Sequence, residues 1–219
     1  MERSSPTSGV RLTISFGVKH LAYLNHLFNL LEPYTNTNPT SISVYNKQTK
    51  TYNEVCRFKT VSLPQLLYYH ELFYKANSEG KLIKVIPLNI EELISPVVLA
   101  HLLMGGGVAA GNLKQPDKII RIYTNSFTHE EVSRLALAIT RKLNILTKVV
   151  HDRNNQYMIT ISKSELPLVQ ELIKPHMHSS MYYKLDLDSN GLDSFNYKDI
   201  SELQHFSPDC VNYFEVYGK

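Results

Sequence analysis

The chain has 219 residues, 43% apolar and 20% charged, which is the balance of a folded protein, and its net charge of +3 permits a polyanionic partner without requiring one. Two cysteines, Cys56 and Cys210, exclude a framework of several disulfides and lack metal-ligand spacing, so both are read as reduced thiols of an intracellular compartment. No apolar run approaches ~18 residues, which excludes a transmembrane helix.

The first ten residues, MERSSPTSGV, hold neither an apolar signal core nor an Arg-rich import pattern. For a protein working in an organelle, that leaves synthesis in place or a targeting segment already removed. Residues 10–34 then read as a short alternating strand, followed by an amphipathic helix carrying Leu21, Leu24, Leu27, Phe28 and Leu31. A hairpin pattern follows over 41–63, turning around Asn46 to Lys50, and Leu63-Pro64 leads into the helical stretch QLLYYHELFY. Residues 84–112, KVIPLNIEELISPVVLAHLLMGGGVAAGN, carry an apolar helix that stops on Gly105, Gly106 and Gly107.

The order then repeats. Residues 119–145 give a strand, Ser126-Phe127 and a helix with Val132, Leu135, Ile139 and Leu143. A second hairpin over 147–166 turns at Asp152 to Asn155, and Leu166-Pro167 opens another helix. Ser15-Phe16 and Ser126-Phe127 lie 111 residues apart, and the two Leu-Pro pairs 103 apart, so the copies differ by loop insertions. A pseudo-twofold pair of domains is expected, divided as 1–92 and 93–185. Residues 186–219 read as an irregular extension.

The three glycines have a local explanation as a helix stop. They are no phosphate loop, because they follow a helix instead of opening one and no Gly-Lys-Ser/Thr follows. Along the hairpins, one alternating set is polar: Ser41, Ser43, Tyr45 and Lys47 in the first, His151, Arg153, Gln156 and Thr160 in the second. Such a face is open either to water or to a nucleic acid groove. Lys47, Lys50, Lys59, Lys148, Arg153 and Lys163 lie in or near the same hairpins, either solvated or contacting phosphates. His101 reads as a packed helix residue before a ligand, and His176 with His178 has the spacing of a metal pair on a strand or of a structural turn. Glu91-Glu92 and Glu130-Glu131 read as acids at helix starts, where the helix dipole favours them.

Several ordered stretches resemble the LAGLIDADG homing endonucleases and their maturase relatives of organelle introns, in the double-motif form. The stretches are SPVVLAHLLMGGG (95–107), IRIYTNSFTHEEV (120–132), YMITISKSELPLVQELIKPHMHSSMYYKL (157–185) and, more weakly, VRLTISFGVKHLAYLNHLF and FKTVSLPQLLYYHELFY. The resemblance implies an α/β (α+β) fold of two αββαββα-type repeats with antiparallel saddle sheets. It also implies a motif helix that packs at the domain interface through Val97, Leu99, Ala100, Leu103, Gly105 and Gly107. In that family each motif helix ends on an acid beside a glycine, and the two carboxylates hold divalent metal, usually magnesium.

Two departures follow. Gly106 occupies the acid position of the second motif, and residues 2–9 look like the loop after a first motif whose helix is absent. The resemblance then implies no catalytic residue and no resident cofactor or metal. Lys59 and Lys163 sit near positions where family members place a basic residue by the cleavage centre. The expectation is a mitochondrial, membrane-free, nucleic-acid-binding protein that does not cleave, with RNA favoured over DNA. It would act as a maturase or as a structural component of an organellar ribonucleoprotein such as the mitochondrial ribosome. The alternative is one part of a split endonuclease using Mg2+, with a second polypeptide supplying the first helix; a decayed reading frame is the third reading. Without that helix, Val97, Leu99, Leu102 and Leu103 should expose an apolar surface for a partner to cover.

Overall fold

A computed structural model of the chain describes residues 1–3, 8–47, 49–108, 120–154, 156–185 and 187. Asn155, Cys210 and the extension 186–219, apart from Leu187, lie outside the described residues. Two compact units are present, Met1–His70 and a second beginning at Glu71.

In the first unit, β1 (Glu2–Arg3) pairs with β2 (Val10–Arg11), and β3 (Thr13–Gly17) runs through a 3-10 turn into α1 (Leu21–Leu31). The hairpin of β4 (Thr40–Asn46) and β5 (Thr51–Lys59) precedes α2 (Gln65–Phe73). The sheet order is β3-β5-β4, antiparallel throughout. Helical spacing puts Leu21, Leu24 and Phe28 on one stripe of α1, which buries against Cys56 and Phe58. The Phe28 and Phe58 rings meet edge-on at 5.4 Å. Each large side chain buried there stabilises the unit by roughly 1.5–3 kcal/mol.

The second unit opens with a small hairpin, β6 (Tyr74–Ala76) and β7 (Leu82–Lys84), then α3 (Ile90–Leu93) and α4 (Pro96–Gly106). Next come β8 (Gly107–Val108), β9 (Ile120–Tyr123), α5 (His129–Leu143), β10 (Thr147–His151), β11 (Tyr157–Ile161) and α6 (Leu166–Ile173). Its antiparallel sheet has the order β10-β11-β9-β8. Ile120, Ile122, Ile159 and Ile161 line the inner face, and Val132, Leu135 and Ile139 of α5 are buried with them. α5 has defined ends. Thr128 and Glu131 form a reciprocal capping box at its start, and Asn144 closes it in the left-handed conformation with φ of 57°.

The repeat read from the sequence is therefore present: β3-α1-β4-β5-α2 is answered by β9-α5-β10-β11-α6, with the second hairpin arm central in both sheets. Two details differ from the sequence reading. Ser15 and Phe16 lie inside β3, opposite Arg57 and Cys56, whereas Ser126 and Phe127 lie in a turn. That turn forms because the Thr124 hydroxyl donates to the Tyr157 carbonyl at 2.6 Å and the Phe127 N–H donates back to the Thr124 carbonyl. The compact units also divide at His70 instead of residue 92. Residues after 84 are tied to the second unit: Ile86 N donates to Glu131 Oε1 at 3.0 Å and the Ile86 carbonyl accepts from Arg134 at 2.6 Å. Among the described residues, no helix is long and apolar enough to cross a membrane.

Candidate nucleic-acid interface

Strand register decides which side chains share the face turned away from the helices, because directly paired residues of antiparallel strands project to the same side. In the second unit, Ile159 pairs with Ile122 and Ile161 with Ile120, which fixes the core side. The opposite face then carries a polar row, Lys148, Thr160 and Arg121, beside an apolar row, Val150, Met158 and Tyr123. Lys148 and Thr160 are thus on the open face, and Arg121 joins them. His151 pairs with Tyr157 on the other side, and their rings meet at 5.5 Å. The expectation that His151 shares a face with Thr160 is corrected. Arg153 is exposed in the turn, beside Gln156, whose N–H donates to the Arg153 carbonyl. Lys163 is exposed in a 3-10 turn after β11.

In the first unit the strand register inverts the sequence reading. Ser41 pairs with Cys56, which is in the core, so Ser41, Ser43 and Tyr45 belong to the helix side of the sheet. The open face carries Ser15, Arg57 and Thr40 in one row, with Thr13 and Lys59 in the next. Tyr45 pairs instead with Tyr52 near the hairpin tip, where the two rings lie 5.1 Å apart. Lys47 and Lys50 are exposed in the turn, which Lys50 closes with φ of 55°. Sequence reading missed Arg57 and Arg121. Both sit singly between apolar neighbours, Cys56 and Phe58 or Ile120 and Ile122, and that alternation is the signal that marks them.

Lys59 is engaged within the chain. Its ammonium donates to Glu2 Oε2 at 2.8 Å, and this contact holds the Glu2 carboxyl below the usual carboxylate range.

Of the motif helix, Leu99, Ala100, Leu103 and Met104 are buried, α4 packing on α6, β9 and the 3-10 turns that follow α6. Leu99 and Leu103 are therefore not the open surface expected of them, and Leu102 is half-buried. The exposed apolar positions are Val97 and Val98, at 43% and 39%. His101 is half-buried. Gly105 and Gly106 are exposed at the helix end, and a Cβ on either would meet nothing within 4 Å. Gly107 begins β8 opposite Ile122. The buried Lys184 ammonium donates to the carbonyls of Leu103 at 3.0 Å and Met104 at 2.8 Å, satisfying two acceptors that a helix terminus leaves unpaired.

Gly106, the last residue of α4, has no side-chain oxygen to offer a divalent ion. Among the described residues, no group of three or more His, Cys, Asp or Glu side chains could hold a metal ion. His178 Nδ1 lies 2.7 Å from Ser180 Oγ, and His176 is in a 3-10 turn, so the two do not stand as a pair on a strand. Glu131 is more than a solvated acid, since it accepts from both Thr128 N and Ile86 N.

Two sheets with the same strand order and a glycine-ended helix ahead of β8 and β9 define an α/β protein of the homing-endonuclease fold. The solved structure of the homing endonuclease I-WcaI bound to its DNA recognition sequence superposes with a TM-score of 0.73 at 22% identity, covering 84% of this chain and 78% of that one. Residues 1–169 match the LAGLIDADG DNA endonuclease family, and the chain belongs to that family. The cytochrome b mRNA maturase bI2 of Saccharomyces cerevisiae is 26% identical, covering 84% of this chain and 43% of the maturase. The DNA endonuclease I-ChuI of Chlamydomonas applanata is 28% identical over 79% of this chain and 82% of its own. The intron-encoded endonuclease ai4 of Dictyostelium discoideum is 33% identical over 65% of this chain and 84% of its own. The chain thus spans less than half the length of the yeast maturase and most of the two endonucleases.

Proposed function

We propose that this protein binds nucleic acid on the open faces of its two sheets and does not cut it, with structured RNA as its partner. Its setting is mitochondrial, as a maturase or as a structural component of a ribonucleoprotein such as the mitochondrial ribosome. The observation that carries this reading is Gly106, a residue without a side-chain oxygen at the end of α4, where the family resemblance implies a metal-binding acid. Cationic rows remain on both sheets, and they favour backbone binding whatever the fate of cleavage. Two relatives are named as mRNA maturases, and RNA is proposed on that ground.

Purification of the tagged full chain from organelles, with sequencing of the co-purified nucleic acid, tests the reading. Enrichment of intron or ribosomal RNA is expected. Enrichment of DNA alone, or magnesium-dependent nicking of plasmids that carry candidate target sites, would overturn it.

A second reading has an observation of its own. Val97 and Val98 are exposed on α4, which fits docking of another motif helix and hence one part of a split endonuclease working with Mg2+. In that case a short partner polypeptide carrying the helix co-purifies, and magnesium-dependent strand cleavage appears with it.

A further inference from the structure

The first unit contains a concave site of about 510 Å³, lined chiefly by Arg11, Arg57, Lys59, Asn36, Asn38 and Thr40. No carboxylate is among its lining residues. It lies at the end of the open face where the loop before β4 meets the end of β5. Lys59 is held by Glu2, but the guanidinium groups of Arg11 and Arg57 have no side-chain partner among the described residues.

From this site we infer a nucleotide pocket that takes one unstacked nucleotide of a folded nucleic acid, its phosphate on Arg11 and Arg57 and its base edge toward Asn36 and Asn38. The inference deepens the nucleic-acid reading above and rests on it. Guanidinium groups only donate, and their planar fork suits phosphate oxygens. Asn side chains both donate and accept, as the edge of a base does, and a phosphate diester, which only accepts, has no use for their carbonyl oxygen. A continuous duplex presents only its backbone ridge to a concave site and keeps its base edges paired. A bulged or single-stranded nucleotide presents phosphate and base together. The volume falls within the ~300–1,000 Å³ of pockets that enclose a small molecule. The two sources of such a nucleotide, a bulge in RNA and a single strand of RNA or DNA, share this chemistry.

The test uses the full chain and fluorescence anisotropy with four probes of equal length: a fully paired RNA, the same RNA with one bulged nucleotide, single-stranded RNA, and single-stranded DNA. The expected result is at least about tenfold tighter binding of the bulged RNA than of the paired RNA. Arg57→Gln and Asn36→Ala/Asn38→Ala should each remove that preference, whereas Lys148→Gln, an equal loss of charge on the other sheet, should weaken all probes alike and keep it. Asn36 and Asn38 are exposed loop residues, so the double variant keeps the test valid if Arg57→Gln disturbs the sheet. Preference for single strands irrespective of sugar assigns the pocket to unpaired nucleotides in general, and preference for the bulge alone assigns it to folded RNA. Equal binding of paired and bulged RNA, or a preference that survives both pocket variants, overturns the pocket while leaving nucleic-acid binding intact. Failure to bind any probe overturns both.

Discussion

Lys184 Nζ donates to the Met104 carbonyl at 2.8 Å, from a side chain that is buried itself. The ammonium closes the end of α4 from within the second unit, two residues before Gly106. Buried charge is tolerated there because the helix terminus offers carbonyls at the negative end of its dipole. Lys184→Met keeps the apolar stem and removes the donor. Hydrogen bonds from a charged group contribute about 1.5–3 kcal/mol, so a loss of about 2 kcal/mol is expected. Urea denaturation should show a lower midpoint with an unchanged slope; an unchanged midpoint would mean that the contact adds nothing.

Gly106→Asp is expected to leave stability nearly unaltered. A Cβ there meets nothing within 4 Å. Replacing glycine in a helix gains roughly 0.5–1 kcal/mol, and an acid at a helix C-terminus loses about 0.3–1 kcal/mol, so the two terms offset. Thermal unfolding of the variant should stay within a few degrees of the parent. A large drop would show that the glycine is held by packing, which would undercut its reading as an empty chemical position.

How much of this was legible in the sequence depends on the element. The repeat was legible because it is carried by helix periodicity and hairpin turns, which are local. The family resemblance was legible because the ordered stretches agree. The faces of β4 were not. Its polar set Ser41, Ser43 and Tyr45 suggests an outward face, yet Ile42 and Val44 are the residues that share the open side with Val55. Small hydroxyl side chains fit on the helix side because Cys56, Phe58 and Phe28 already fill the core, and only cross-strand register reveals it. The motif helix was ambiguous for a related reason. α4 is apolar nearly all round, and its sequence does not say which stripe its own unit uses. Leu99 and Leu103 turned out to be that stripe, leaving Val97 and Val98 outside.

Strand register places Lys148 and Arg121 on the open face of the second sheet. Lys148→Gln and Arg121→Gln should each weaken nucleic-acid affinity evenly across sequences. Each should also reduce the slope of log affinity against log salt by about 0.7–0.9, as loss of one phosphate contact does. Ser43→Ala and His151→Ala lie on the helix side and should change neither quantity. Affinity measured over a salt series checks this, and a strong effect from Ser43→Ala would put the first sheet the other way round.

Glu2 restrains a cation on the open face, the Lys59 ammonium. Lys59 holds the Glu2 carboxyl below its ordinary value of 4.5, chiefly through their hydrogen bond. A carboxyl depressed in the folded state adds stability that is present above its unfolded pKa and is lost as pH falls through the folded one. The window is therefore acidic, below about 4.5, and the effect is small because the pair is partly solvated, with side chains 35% and 48% exposed. Screening keeps such a pair under ~1 kcal/mol. Glu2→Gln should therefore flatten the fall in stability on acidification by no more than that. At neutral pH the same change frees the Lys59 ammonium and removes a negative charge beside Arg11, so nucleic-acid affinity should rise severalfold at low salt, the gain shrinking as salt is added. Lys59→Gln introduced into Glu2→Gln should abolish the rise. A gain that persists without Lys59 would assign the effect to the removed negative charge alone, and no gain at all would mean that Lys59 does not face the bound strand.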